Sequence, residues 1–91
     1  MAIVLIPQPM RELTGGEERV ECEGRNLRRL ILALDERYPG IKEALMRGDK
    51  LRPDVACAVD GQVTQLGVLQ PLKEENEVLF MPAVSGGTGV T

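Results

Sequence analysis

The stretch Glu77-Val78-Leu79-Phe80-Met81 leads directly into Pro82-Ala83-Val84-Ser85-Gly86-Gly87-Thr88-Gly89-Val90-Thr91 at the end of the chain. Alternation in the first run predicts a strand with Val78 and Phe80 on one face and Leu79 and Met81 on the other. The run that follows has no charged and no large apolar side chain, and its two adjacent glycines have no Cβ to keep them out of a narrow channel. Two interpretations stay open: a frayed terminus, or an arm that another protein grips for chemistry at a glycine carboxylate.

The rest of the composition predicts an ordinary small globular domain. The chain has 91 residues, of which 43% are hydrophobic and 27% charged, so it is large enough to fold as one domain and too apolar to be disordered. A formal net charge of -3 and only two aromatic residues, Tyr38 and Phe80, argue against nucleic acid as a partner. Histidine is absent from the sequence, which removes the commonest general base and metal ligand.

The two cysteines, Cys22 and Cys57, are far apart in the sequence and form no Cys-x-x-Cys pair. They therefore suggest neither a zinc site nor a redox motif, and their places in strand patterns predict core packing rather than reactivity. Unclustered thiols and the lack of a signal peptide predict a cytoplasmic protein. The apolar run Ala2 to Ile6 is too short to span a membrane, so no membrane partner is expected.

Outward from the last strand, the chain predicts a hairpin and one main helix. The β-branched run Ala2 to Ile6 and the alternating run Arg19 to Glu23 read as two paired strands. Asn26 is a suitable N-cap for a helix over Leu27 to Tyr38, whose apolar residues recur at three- and four-residue spacing. A second helical turn is predicted over Ile41 to Met46.

The segment between the helices and the last strand predicts a second hairpin. Gly48-Asp49-Lys50 reads as a loop, and Val55 to Val59 as a strand with small residues on one face. Asp60-Gly61 is a strong two-residue turn signal that makes Gln62 to Thr64 the returning strand, and Pro71 to Asn76 forms a polar turn. The order predicts an α+β fold in which one main helix packs across a mixed sheet of about five strands, with the first and last strands side by side in the middle.

In this order the motifs resemble the MoaD/ThiS family of ubiquitin-like sulfur carrier proteins. The resemblance covers nearly the whole chain up to Gly87 and ends in Pro-x-Val-x-Gly-Gly. It implies a β-grasp (ubiquitin-like) domain over residues 1–87 and a C-terminal extension over residues 88–91. The motifs that carry it are Pro7 to Gly15, the helix Leu27 to Tyr38, Arg52-Pro53, Val59-Asp60-Gly61, Pro71-Leu72-Lys73, Glu77-Val78 and Pro82 to Gly87.

The resemblance also implies that the chain is a protein co-substrate and not an enzyme, with no catalytic residue and no cofactor or metal of its own. An adenylyltransferase resembling ubiquitin-activating enzymes would use ATP and magnesium to adenylate the carboxylate of Gly87, with Gly86 as the slim residue before it. A sulfur donor would then form a thiocarboxylate, and a synthase would take the sulfur for molybdopterin, thiamin, cysteine or a related product. Matching the family's apolar docking patch predicts a partner interface at Pro7, Val63 and Met81.

Family members usually end at the second glycine, whereas Thr88 follows Gly87 here. An internal glycine has no free carboxylate, so the carrier interpretation requires cleavage between Gly87 and Thr88, for which a JAMM-type peptidase is the favoured agent. The alternatives are an artefactual extension and a β-grasp binding or scaffold module that is never activated. The sequence leaves the product open.

Overall fold

The computed structural model describes residues 1–82, which form a mixed five-stranded sheet with a helical layer on one face. The strands of this sheet are β1 (Ala2–Leu5), β2 (Arg19–Cys22), β5 (Val55–Val59), β6 (Gln62–Val63) and β7 (Glu77–Pro82), and their spatial order is β2-β1-β7-β5-β6. β1 and β7 pair in parallel, and the other neighbours pair antiparallel. The prediction that the first and last strands lie side by side is confirmed.

The main helix, α1 (Leu27–Arg37), packs its apolar stripe on one face of the sheet. The side chain of Asn26 accepts a hydrogen bond from the backbone N–H of Arg29 at 2.9 Å, which confirms the predicted N-cap. Tyr38 is the residue at which the helix ends, one residue before the proline that cannot follow a helical residue. The apolar side chains of α1 that are buried against the core are Leu27, Leu30, Ile31 and Leu34.

The sheet side of the core is set by alternation, as the sequence predicts. Val78 and Phe80 of β7 are buried, while Leu79 lies on the other face with 37% of its surface exposed. Val4, opposite Val78 in the parallel pair, is fully buried as well. The inward residues of neighbouring strands therefore meet at the same level under α1.

Two short elements differ from the sequence predictions. The second helix, α2 (Ile41–Leu45), ends one residue early, because Met46 begins a two-stranded hairpin of β3 (Met46–Arg47) and β4 (Lys50–Leu51). The predicted loop at Gly48-Asp49-Lys50 is therefore the turn of this hairpin, with Lys50 in its second strand. The segment before Pro71 contains a 3₁₀ turn, Gly67–Leu69, whose Val68 is buried.

The two α-helices within residues 1–82 are 11 and 5 residues long, and no helix of this part of the chain is long and apolar enough to cross a membrane.

Candidate functional site

The candidate site begins where the chain leaves the middle of the sheet. β7 lies between β1 and β5, and its last residue, Pro82, pairs with Val55. Gly86, Gly87 and Thr88 lie outside the described residues, as does the proposed cleavage point between the last two. Gly87 is the fifth residue after Pro82, so it can be at most about 18 Å from the end of β7.

The start of β7 is fastened to the β5–β6 hairpin by the side chain of Asp60. Its Oδ1 accepts from the backbone N–H of Glu77 at 2.7 Å, and its Oδ2 accepts from Nδ2 of Asn76 at 2.6 Å. The backbone N–H of Asp60 donates to the carbonyl of Glu77 at 2.8 Å. Asp60 has a φ of 51°, a left-handed conformation that Asp tolerates better than most residues. The strand that carries the terminal arm is thus held at its far end by three hydrogen bonds.

The face of the sheet opposite α1 carries a row of apolar side chains. Strand register places Leu5 beside Leu79, Leu79 beside Ala58, and Ala58 beside Val63. Val63 and Leu79 are 60% and 37% exposed. We call this set the apolar row. Leu5 is partly exposed, and Ala58, the smallest member, is only 4% exposed between its neighbours. The members of the row come from four strands, so their alignment is a product of the fold.

The three residues predicted for a partner interface, Pro7, Val63 and Met81, fall around this row. Val63 is its outermost member, and Met81 lies on the same face, two residues beyond Leu79 on β7. Pro7 follows the end of β1 in extended conformation and stands two residues beyond Leu5, at the corresponding end of the neighbouring strand. The structure therefore brings Val63 and Met81 to one face and puts Pro7 at the edge where the chain exits.

The sequence predicted the orientation of Leu79 but assigned no site role to it or to Leu5. The alternation along β7 puts Leu79 on the same face as Met81, and this was the signal available for it. Leu5 had no such signal, because its run is apolar at every position and does not distinguish the two faces.

Neither cysteine thiol lies on the open face of the sheet. Cys22 and Cys57 are 4% and 1% exposed and belong to the core, as predicted. Burial raises the pKa of both thiols, that of Cys57 to about 12. Because the thiolate is the nucleophilic form, both groups are held in their unreactive state at neutral pH.

Comparison with known proteins places this arrangement in context. The model of the ThiS family matches residues 4–87, ending at the second glycine of the terminal pair. The sulfur carrier protein CysO of Mycobacterium tuberculosis is 33% identical over 89 residues, covering 92% of this chain and 96% of CysO.

Solved structures show the same architecture. CysO in the BexX/CysO complex of Amycolatopsis orientalis superimposes with a TM-score of 0.88 at 30% identity, covering 96% of this chain and all of that one. The small archaeal modifier protein SAMP1 of Methanosarcina acetivorans has a TM-score of 0.77 at 24% identity, over 94% of this chain and 95% of SAMP1, and at that identity it supports the fold alone.

Proposed function

We infer that this chain is a sulfur carrier, because it belongs to the ThiS family. The observation that carries the inference is the extent of the match, which runs from residue 4, within β1, to Gly87, the residue where the chemistry would occur. The 33% identity to CysO over nearly the full length of both chains supports the same role. Relatives of this kind are small carrier proteins and not enzymes, which agrees with the expectation from the sequence.

The proposed chemistry takes place at the carboxylate of Gly87. A carboxylate oxygen attacks the α-phosphorus of ATP, bound with magnesium by an adenylyltransferase, and pyrophosphate leaves. Sulfide supplied by a sulfur donor then attacks the acyl carbon, the bond to AMP breaks, and the carrier ends in a thiocarboxylate. Adenylation is needed because a free carboxylate is a poor electrophile. Gly86 and Gly87 put no side chain in the way of either reagent.

Because Thr88 follows Gly87, the proposal includes a hydrolytic step. A peptidase, which we propose to be of the JAMM metalloprotease type, adds water across the Gly87–Thr88 peptide bond. The new carboxylate belongs to Gly87, and the released segment takes the new amino group. This step makes the carrier available for activation.

In this proposal the folded domain is the part of the protein that its partners bind. The apolar row, with Met81 and Pro7 beside it, is the surface on which we propose that the adenylyltransferase and the sulfur-accepting synthase dock. CysO of Amycolatopsis orientalis crystallised together with BexX, and this supports a carrier that works through protein partners. The accepting synthase makes molybdopterin, thiamin, cysteine or a related product.

The test uses two forms of the chain, one ending at Gly87 and one continuing through Thr91, each incubated with the adenylyltransferase, ATP and magnesium. The trimmed form should release pyrophosphate and form an acyl adenylate, and the longer form should do neither. A trimmed Gly87→Phe variant with an intact fold should also be inert. Pyrophosphate release that is equally absent from all three forms would refute the carrier assignment and favour a scaffold.

Intact-mass measurement of the protein from its own cells provides an independent test. A species ending at Gly87, as the acid or the heavier thiocarboxylate, is the expected finding. Only the chain ending at Thr91, in cells that are making the sulfur-containing product, would contradict the cleavage step.

A further inference from the structure

The open face of the sheet is electrically asymmetric along the direction of β7. Glu21 and Glu77 lie on either side of Ile3, which is two residues before Leu5 of the apolar row and on the same face of β1. Two strand spacings separate their backbones, which is about 10 Å. At the other end of the face stands Met81, about 13 Å further along β7 toward the terminal arm. We call Glu21 and Glu77 the carboxylate pair.

Two arginines lie near Glu21: Arg19 is two residues before it on the same face of β2, and Nη1 of Arg37 donates to its backbone carbonyl at 2.7 Å. Neither forms an ion pair with a carboxylate of the pair. The ion pairs within residues 1–82 are Arg11–Glu18 and Arg52–Asp54, and neither involves Glu21 or Glu77. Both residues of the pair are exposed. Asp60, next to Glu77, has both carboxylate oxygens engaged in hydrogen bonds, so it holds β7 in place instead of adding a free acceptor to this border.

From this asymmetry we propose that the carboxylate pair orients the adenylyltransferase on the open face. The inference rests on the proposed function and adds to it the chemistry of the partner surface: aliphatic side chains over the apolar row and lysine or arginine over Glu21 and Glu77. Apolar contact has no preferred direction in the plane of the sheet. A partner that docks on the apolar row alone could therefore bind in an orientation that leaves Gly87 far from its nucleotide site.

The lysine or arginine side chains of the partner would fix its orientation on the sheet. They are attracted to the border farthest from the arm. A half-turned partner would hold them near Met81, at the end of the sheet where the carboxylates of Glu18 and Asp54 are already paired with arginines. Complementary charge at the rim of an interface acts chiefly on the rate and orientation of association, and it is weakened by salt. The carboxylate pair is therefore expected to influence encounter and not the chemical step.

The experiment compares chains ending at Gly87 that differ in the placement of two charge reversals. Glu21→Lys/Glu77→Lys changes the carboxylate pair. Glu36→Lys/Glu43→Lys makes the same change in net charge on exposed positions of α1 and α2, on the opposite side of the molecule. The neutral variant Glu21→Gln/Glu77→Gln provides a milder change should the reversal disturb folding, which melting curves report.

Two quantities are measured with the purified adenylyltransferase: binding in the absence of ATP, and kcat/KM for pyrophosphate release, each at low and high salt. We expect the carboxylate-pair reversal to lower kcat/KM and binding about tenfold at low salt, with less effect at high salt and kcat unchanged. The neutral variant should show a smaller loss in the same direction, and the helix-face control should stay near the wild type.

The outcomes separate this inference from the carrier assignment. If wild type is adenylated and all variants match it at low salt, the orienting role is wrong while the carrier function stands. If wild type binds in a manner that depends on the carboxylate pair but releases no pyrophosphate, the carrier function is wrong and the docking chemistry stands. If the partner neither binds nor adenylates wild type, both are wrong. Self-association of the trimmed chain that is abolished by the reversal would show that a second copy occupies the face, and this too would overturn the inference.

Discussion

Replacing Asp60 by alanine should loosen the junction between the β5–β6 hairpin and the first residue of β7. The carboxylate accepts hydrogen bonds from the backbone of Glu77 and the side chain of Asn76 at 2.7 and 2.6 Å. Alanine loses both, and it must also occupy the left-handed conformation with φ 51° that Asp60 adopts. The free energy of unfolding is the quantity that these changes lower.

The expected loss follows from these contacts. Each hydrogen bond contributes about 0.5–1.5 kcal/mol net, and the lower part of that range applies because water can replace the lost partner at this exposed site. Left-handed backbone costs alanine about 1 kcal/mol more. The total is about 2 kcal/mol, and at about 4–8 °C per kcal/mol for a domain of this size it lowers Tm by about 10 °C. Asp60→Asn keeps one acceptor oxygen and tolerates the backbone conformation, so it loses one hydrogen bond and about a quarter of that free energy, about 0.5 kcal/mol.

Urea and thermal denaturation of wild type, Asp60→Ala and Asp60→Asn, followed by far-UV circular dichroism, measure the three stabilities. The free energy of unfolding is expected to decrease in the order wild type, Asp60→Asn, Asp60→Ala. It would be refuted by an alanine variant within about 0.5 kcal/mol of wild type, the range typical of surface substitutions that break nothing. An alanine variant more stable than the asparagine variant would refute it equally.

Three further substitutions test the packing, the cap and the buried thiol. A Cβ on Gly24 would lie 2.5 Å from the backbone nitrogen of Leu30, so Gly24→Ala should destabilise the protein by about 1–3 kcal/mol or more. In the control Gly48→Ala the new Cβ meets no atom within 4 Å, so only the left-handed backbone strain of about 1 kcal/mol is expected. Equal urea midpoints for the two variants would contradict the predicted clash. Asn26→Ala removes the helix cap and should cost about 1 kcal/mol in a urea titration, with Asn26→Ser near wild type, and an alanine variant as stable as the serine variant would argue against the cap. Burial raises the pKa of Cys57 from 9.0 to about 12. Between these two pH values the thiol ionises in the unfolded chain but stays protonated in the folded state. Its contribution to the free energy of unfolding is therefore complete below pH 9 and is lost as the pH rises toward 12. Over that range the urea midpoint of wild type should fall more steeply than that of Cys57→Ala, and parallel curves would show that the thiol does not contribute.

Local patterns were sufficient to predict most of the elements. The three- and four-residue spacing from Leu27 to Leu34 located α1, and Asn26 and Pro39 located its ends. Asp60-Gly61 predicted the β5–β6 turn, and alternation predicted which side chains of β7 are buried. The β3–β4 hairpin escaped prediction because each strand has two residues, too few to show a period of two.

The composition of the open face is the part that local patterns could not provide. Leu5, Leu79 and Val63 are distant in the sequence, and each one alone is an unremarkable aliphatic residue. They form a row because β1 and β7 pair in parallel with Leu5 beside Leu79, a register that places Val4 and Val78 together in the core. The same register sets Glu21 and Glu77 on either side of Ile3.

By itself the sequence determined the kinds and order of the main elements, the buried face of the last strand, and the Gly86-Gly87 pair that follows it, because turns, caps and alternation depend on neighbours within a few residues. Tertiary structure alone decided which exposed residues share a surface. Hydrogen bonding between distant strands and the fit of their inward side chains set the alignment, and those long-range contacts leave no periodic trace in the chain.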